Sequence, residues 1–374
     1  MYTSIDFDPF TANPDAWEQY LQLMSAGRDG GPGDEPLPLT NFRAAVREQF
    51  KRKSIRGKLI YKEGTPVLGI QCFSKTSADG ALTAVIVFEG VVDEISGELR
   101  NEINSVIAEF LQLVDPGPDR SFLCTSKDRV IWQLLESYRG ALINTICYFR
   151  LLRRTIAGDP ESSPTGDPES GRTGNSAGET NRRLAVNAPP LAQWLANKDI
   201  ESGELTVAFH EYVPERLYDS FAALMTELMN DIIREDSQEQ FSETAAGVAR
   251  KMELFKKTHT RMLLFLLLDC SGQLIGLSFV LVDPHSAVAK QEMTGVRREY
   301  RGRKLAYYLK ALAIRETLQR FPHVQAMETN CYSINEPIIH VNRALGYEPT
   351  DTARQYRVYR PKMSALNNSL DGYF

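Results

Sequence analysis

The amino-acid sequence predicts an α/β fold with a mixed α+β sheet, built from two tandem copies of one arrangement. Runs rich in β-branched and aromatic residues alternate with amphipathic helical segments along most of the 374 residues. The order of these segments before residue 154 is repeated after residue 184. A single hydrophobic core rarely extends beyond roughly 250–300 residues, so the length also favours two domains.

Two landmarks place the copies in register. Gly69 follows a turn in the first half, and Gly276 follows a turn in the second half, 207 residues later. Thr125 and Thr329 lie in similar predicted strands and are 204 residues apart. Two similar offsets at separate positions indicate an internal duplication.

The segment between the copies differs in composition from both of them. Residues 155–183 contain one large apolar residue, Ile156, and repeat the sequence Gly-Asp-Pro-Glu-Ser. Such a segment buries too little apolar surface to offset the entropy lost on ordering, which predicts a flexible linker. The expected domains are therefore residues 1–154 and 184–374.

In the first half, helical spacing of Trp17, Tyr20 and Met24 predicts an opening helix. A loop rich in glycine and proline follows over residues 27–38. The remaining elements expected in this half are helices over 41–50, 94–113 and 130–138, and strands over 57–62, 67–73, 81–88, 121–125 and 141–152.

The second half repeats this order. A strand is expected over residues 205–212, and Pro214 is placed to begin a helix. Further elements are expected as a helix over 245–257, a hairpin of strands 262–268 and 274–282, a strand over 290–296, a helix from 305, and a closing strand, helix and strand.

Composition restricts the function classes. The net charge of −5 argues against general nucleic-acid binding. The five cysteines are scattered without metal-ligand spacing, which predicts reduced thiols, no metal and a cytoplasmic protein. No signal peptide is recognised, and the longest apolar run, residues 262–268, is too short to cross a bilayer.

One stretch combines features of an anion site. The predicted strand over residues 290–296 leads into a loop that contains Gly302, and a helix follows the loop. A helix start leaves unpaired N–H groups and carries positive potential, which suits a phosphate. The loop also carries five basic side chains, those of Arg297, Arg298, Arg301, Arg303 and Lys304.

The residues from Arg301 to Ala306 resemble the acyl-CoA pyrophosphate loop of the GNAT N-acetyltransferase family, with the pattern Gln/Arg-x-x-Gly-x-Gly/Ala. Lys304 stands where the family usually has glycine. Downstream, Glu328-Thr329-Asn330, then Asn335, then the segment from Asn342 to Tyr347 resemble the family's strand, helix and closing Leu-Gly-Phe/Tyr.

The resemblance implies acetyl-CoA as co-substrate. It places the pantetheine arm beside the strand before the loop and the pyrophosphate on the loop itself. Asn335 is expected to polarise the substrate or to order the loop, or else to cap the helix that follows it. The other residues implied in binding acetyl-CoA are Thr294, Gly295, Val296, Arg301, Gly302, Arg303, Lys304, Leu305 and Ala306.

For the general base, the resemblance and the need for a carboxylate in the cleft leave two candidates, Glu292 and Glu328. Either of them can instead hold a cationic group of the acceptor. The resemblance places Asn342 where the family commonly has a tyrosine that acts as general acid. An amide side chain can donate a hydrogen bond but cannot serve as a general acid. Either no acid is needed, because a thiolate leaves readily, or Tyr332 or Tyr347 serves.

Two further side chains are weaker candidates for the chemistry. His340 has a suitable ordinary pKa, but a histidine at that place on a helix is typical of packing or of a surface. Cys331 raises the idea of an acyl-enzyme, but no histidine partner is evident in the sequence.

The predicted function is transfer of acetyl from acetyl-CoA to the primary amine of a small-molecule or amino-acid-like acceptor by direct attack, without nucleic-acid or membrane partners. The alternatives are a non-catalytic acyl-CoA sensor and a mycothiol synthase-like transferase. The first half carries the acidic segment 89–94 in place of the basic loop. It is therefore expected to be a degenerate copy without an acyl-CoA site.

Overall fold

The computed structural model of the chain describes residues 2–7, 15–16, 18–20, 23, 56–76, 82–90, 92–114, 121–138, 140–153, 191–232, 240–284 and 286–359. The strands of the first half are β1 (Tyr2–Phe7), β2 (Arg56–Lys62), β3 (Thr65–Thr76), β4 (Leu82–Glu89), β5 (Ser121–Ser126) and β6 (Ala141–Leu152). Those of the second half are β7 (Thr206–His210), β8 (Arg261–Leu268), β9 (Leu274–Val282), β10 (Val288–Val296), β11 (Ala326–Tyr332) and β12 (Glu348–Tyr359).

In each half, one helix lies between the fourth and fifth strands and another lies between the fifth and sixth strands. The first half has α1 (Gly97–Val114) and α2 (Arg129–Ser137). The second half has α3 (Lys198–Glu201), α4 (Tyr218–Asn230), α5 (Ala245–Lys257), α6 (Leu305–Arg320) and α7 (Glu336–Ala344). Three short 3₁₀ helices occupy Leu191–Trp194, Glu215–Leu217 and Arg298–Tyr300.

All twelve strands form one mixed sheet in the order β1-β2-β3-β4-β5-β12-β6-β11-β10-β9-β8-β7. Counting inward from either edge gives five strands of one half and then the last strand of the other half. β4 and β5 pair in parallel, as do β10 and β11, while the remaining neighbours are antiparallel. The two halves are thus related by a pseudo-two-fold arrangement in which β6 and β12 are exchanged.

The register supports the duplication read from the sequence. Gly69 of β3 pairs with Glu89 of β4, and Gly276 of β9 pairs with Val296 of β10. The same offset of 207 residues therefore holds on both strands of each pair. The mixed α/β sheet with two similar halves confirms the predicted fold class.

Apolar residues of the second half fill two layers, one on each face of the sheet. Leu309 and Ile314 of α6 and Leu345 after α7 share a core with Phe265 of β8. On the opposite face of the sheet, α4 and α5 pack against the buried side chains of β8 and β9 that point to that face. The buried run over residues 262–268 is a strand, as expected.

Most predicted elements are present, with small shifts at their ends. The strand β1, the short helix α3 and the 3₁₀ turn that precedes α4 were missed by the sequence reading. Residues 15–16, 18–20 and 23 are helical, as the opening helix requires. The expected loop over 27–38, the helix over 41–50, the linker over 155–183 and the boundaries at 154 and 184 lie outside the described residues.

Within the described part of the chain, none of the helices has both the length and the hydropathy that crossing a bilayer would require.

Candidate functional site

The strands β10 and β11 separate where the site begins. Their parallel pairing covers only residues 288–290 of β10 and 326–328 of β11, ending at Lys290 and Glu328. Both strands continue beyond this point, to Val296 and Tyr332. A gap therefore opens in the sheet between them, and β10 offers a free backbone edge along it.

Glu292 lies at an irregularity of β10. The register with β9 shifts between Gln291 and Met293, which makes Glu292 the extra residue of a β-bulge. Its side chain is open to solvent but stands beside densely packed groups. The resulting desolvation raises the pKa of Glu292 above its ordinary value, and nearby Lys290 offsets part of this. A raised pKa suits a carboxylate that accepts a proton near neutral pH.

The loop after β10 brings the start of α6 to the end of this gap. Gly302 and Lys304 both have a positive φ, of 79° and 58°. Lys304 is the N-cap of α6, and its side chain makes no capping hydrogen bond. The first helical hydrogen bond runs from Tyr308 N to Lys304 O, at 3.2 Å. The N–H groups of residues 305–307 therefore have no acceptor within the helix and favour an anion.

A pocket of about 660 Å³ lies over this helix start. The end of β10, the loop, the first turns of α6 and α7, and the last turn of α4 enclose it. The walls include Leu228 and Asp231 of the α4 segment, which the sequence reading missed. Of the ten residues predicted to bind acetyl-CoA, the pocket is lined by Thr294, Gly295, Val296, Arg301, Gly302, Lys304, Leu305, Ala306 and Asn335.

Asp231 binds two of the predicted basic side chains. Its carboxylate accepts hydrogen bonds from Arg298, at 2.7 Å, and from Arg301. Burial acts to raise the pKa of Asp231, but the two arginines outweigh it and hold the pKa below its ordinary value. Arg301 also donates from Nε to the carbonyl of Val296, at 3.1 Å. The arginine pair is therefore fixed against the end of β10.

Arg303 is directed away from the pocket. Its guanidinium binds Asp199, at 2.8 Å, and Glu204, at 2.5 Å, both near α3. Arg303 is thus the one residue of the ten predicted to bind acetyl-CoA that does not line the pocket. Lys304 is exposed, and in the described part of the chain no ion pair engages it.

Asn335 faces the pocket from the start of α7. It is the N-cap residue, yet its side chain makes no capping hydrogen bond. Pro337 lies in the first turn and lacks the N–H that a cap would bind. The Asn335 amide is therefore left for other partners.

The two candidate bases differ in their surroundings. Glu328 accepts two hydrogen bonds from Arg150 of β6, at 2.6 and 3.1 Å from the two nitrogens. Sequence reasoning could not find Arg150, since it belongs to the other half and reaches β11 through the strand exchange. Glu292 has no such ion pair among the described residues. Of the two carboxylates, Glu292 has the freer position.

Asn342 is fully buried, and both polar atoms of its amide are without a hydrogen-bond partner in the described structure. An unpaired buried amide is costly, and Asn342 is not among the residues that line the pocket. The other acid and nucleophile candidates are less suited. Burial raises the pKa of Tyr347 far above its ordinary value and that of Cys331 to about 12. His340 is exposed on the pocket rim, with its ring edge-on to Tyr307 at 6.4 Å.

Comparison with solved structures identifies the architecture. A tandem GNAT protein from the clavulanic acid biosynthesis pathway aligns with 96% of this chain and 98% of its own, with a TM-score of 0.61 and 19% identity. The fold is that of a tandem GNAT protein. A GCN5-related N-acetyltransferase from Sphaerobacter thermophilus gives a TM-score of 0.56 with 11% identity, over 96% of this chain and 95% of its own.

The same GNAT fold relates the chain to an N-myristoyltransferase of Saccharomyces cerevisiae solved with bound myristoyl-CoA. The TM-score is 0.52 with 13% identity, over 96% of this chain and 78% of that one. No family model and no curated protein matches the sequence. The structural similarity establishes the GNAT fold. Because the sequence identities are low, it does not establish the activity, which must be argued from the site.

Proposed function

We propose that the chain is an acyltransferase that moves acetyl from acetyl-CoA to the primary amine of a small-molecule or amino-acid-like acceptor. The observation that carries the proposal is the uncapped start of α6, which opens into a pocket beside the gap between β10 and β11. The GNAT fold supports acyl transfer in general. We also propose a cytoplasmic location, on the basis of the scattered cysteines.

The residues present fit an acyl-CoA. The N–H groups of residues 305–307 and the ammonium of Lys304 suit the diphosphate. The free edge of β10 from Thr294 to Val296 offers backbone groups to the pantetheine amides. A Cβ at Gly295 would lie 2.9 Å from Leu228 Cδ1 and 3.2 Å from Met293 Cε, so any side chain there would crowd the pocket wall. The side chain of Asn335, which lines the pocket, offers a further polar contact.

Glu292 is proposed as the general base. The acceptor nitrogen must lose a proton as it bonds to the acyl carbon, and the bond between that carbon and sulfur breaks. Glu292 takes the proton, directly or through water, and its raised pKa strengthens it as a base. No proton donor is required at Asn342, because a thiolate is a stable leaving group.

Calorimetry with acetyl-CoA, together with thiol release measured across a panel of amines, tests the proposal. We expect Glu292→Gln to lower kcat/KM by roughly 100-fold or more with little change in acetyl-CoA affinity, as is typical for loss of a general base. Glu328→Gln, the matched control on the neighbouring strand, is expected to have a smaller effect. No binding of acetyl-CoA to the wild-type protein would end the proposal.

A non-catalytic acyl-CoA sensor is the second candidate, favoured by Asn342 at the position of the proton donor. The same experiments separate the two functions. A sensor would bind acetyl-CoA and release no thiol with any amine, whereas a transferase would show turnover that depends on the amine.

A further inference from the structure

Lys310 is a lysine enclosed between α6 and the sheet. Its side chain is 2% exposed. Within the described residues no carboxylate pairs with it. Removing an ammonium from water without a counter-ion is costly, and burial therefore lowers the pKa of Lys310 to about 7. The proposed chemistry assigns no role to this side chain.

The ammonium lies over the point where β10 and β11 part. Lys310 Nζ donates to Thr329 Oγ1 at 3.4 Å, and Thr329 Oγ1 donates to the carbonyl of Gln291 at 2.9 Å. Thr329 and Gln291 each follow the last paired residue of their strand, Glu328 and Lys290. A side-chain hydrogen bond therefore spans the strands where the backbone ladder ends.

A second branch of the network leads to the pocket wall. The side chain of Gln291 accepts from Tyr347 Oη at 2.7 Å and donates to Ser278 Oγ at 3.2 Å. Ser278 and Thr294 share a hydrogen bond of 2.8 Å, and Thr294 lines the pocket. All of these side chains lie on the face of the sheet covered by α6, and Lys310 Nζ stands 5.0 Å from the centre of the Tyr347 ring.

We propose that Lys310 is a positioning residue that sets the separation of β10 and β11 at the site of acyl transfer. It does so by holding the Thr329 hydroxyl against the Gln291 carbonyl, one residue before Glu292. A fixed gap keeps the base and the free edge of β10 in place for the reacting groups. The inference rests on the proposed transferase function.

The other titratable groups that face Lys310 stay neutral near neutral pH. They are Cys331 on β11 and Tyr347 after α7. Burial raises the pKa of Cys331 to about 12 and raises that of Tyr347 well above its ordinary value. Among the described groups of this cluster, Lys310 is therefore the one that changes charge between pH 6 and pH 9.

Lys310→Met and Thr329→Val test the proposal, with the exposed Gln319→Met on the same helix as control. We expect each of the first two variants to lower kcat about tenfold with little change in KM for acetyl-CoA. The fold loss of kcat in the double variant should be much smaller than the product of the losses in the two single variants, because the two residues act in one network. Thr329→Val keeps the test decisive if Lys310→Met does not fold.

The pH dependence distinguishes positioning from simple packing. We expect an inflection near pH 7 in the wild-type kcat profile, and its loss in Lys310→Met. The folded-state pKa of Lys310 lies below the unfolded value of about 10.4, so the buried charge destabilises the wild type fully below about pH 7. This penalty disappears as the pH rises towards 10. Lys310→Met should therefore have the higher Tm at pH 6, and its advantage should shrink at higher pH.

Unchanged kcat and an unchanged pH profile in Lys310→Met would overturn the inference alone, provided the wild type transfers acetyl. A lower Tm of this variant at every pH, with activity lost in proportion to unfolded protein, would show packing only. Absence of transfer by the wild type would overturn the proposed function and this inference with it.

Discussion

The two halves contain equivalent helix starts. Side chains cap these starts in the first half and leave them uncapped in the second half. In the first half, Ser96 Oγ accepts from Leu99 N at 3.2 Å at the start of α1. Asp128 accepts from Val92 N at 2.7 Å and from two N–H groups of α2. Side chains of the first half therefore cap the starts of both α1 and α2.

In the second half the equivalent donors are left open. Lys304 and Asn335 occupy the N-cap positions of α6 and α7, and neither side chain caps its helix. One fold thus contains a capped and an uncapped version of the same pair of helix starts. The comparison teaches that the same fold can carry capped or uncapped helix starts, and that a few residues at the N-cap positions make the difference.

The largest expected effect comes from placing a negative charge in the open loop. We expect Gly302→Asp to weaken acetyl-CoA binding roughly 100-fold, because the carboxylate would face the diphosphate. Gly302→Asn is the matched control, since it has the same shape and the same cost at the positive φ of residue 302. Calorimetric Kd values for the two variants measure the charge effect. Equal affinities would mean that the loop does not hold the diphosphate.

The second prediction converts each half towards the other. Asn335→Asp should give α7 the acidic N-cap residue that α2 has and weaken acetyl-CoA binding about tenfold, by like-charge repulsion. Asp128→Ala should destabilise the protein by about 1–2 kcal/mol through loss of a cap, with acetyl-CoA affinity unchanged. Urea unfolding and calorimetry on both variants give the comparison. A large loss of affinity in Asp128→Ala would show that the first half contributes to binding.

The smallest effect is expected at Lys304, which adopts a left-handed conformation at φ 58°. Lys304→Gly should raise the free energy of unfolding by about 1 kcal/mol, because glycine adopts this conformation without strain. Lys304→Ala removes the same ammonium but keeps the strain, and it should give no gain. Equal stability of the two variants in urea would contradict the strain argument.

The sequence was sufficient for elements that carry a local pattern. The apolar run over residues 262–268 predicted β8, and the helix expected from residue 305 is α6. Likewise, the strand, glycine loop and helix in succession predicted the position of the open site, since these features are adjacent in the chain.

What the sequence could not show depends on contacts between distant residues. The pairing of Arg150 with Glu328 and the capture of Arg298 and Arg301 by Asp231 require the strand order and the end of α4 to be known. The burial of Lys310 could not be predicted either. Periodicity predicts one buried face for α6, whereas the helix is buried on most of its surface. Asn335 leaves α7 uncapped because of Pro337 and the backbone geometry at the start of the helix, and the sequence alone does not specify that geometry.

The crossing of β6 and β12 has a consequence for how such a molecule can arise. A polypeptide with the second half alone would have β12 but no β6, so it would complete its sheet only by trading strands with another copy of itself. The single-copy ancestor implied by the duplication is then a symmetric dimer. Joining the two halves in one chain lets them differ in sequence, while each half still supplies the strand that completes the other half of the sheet.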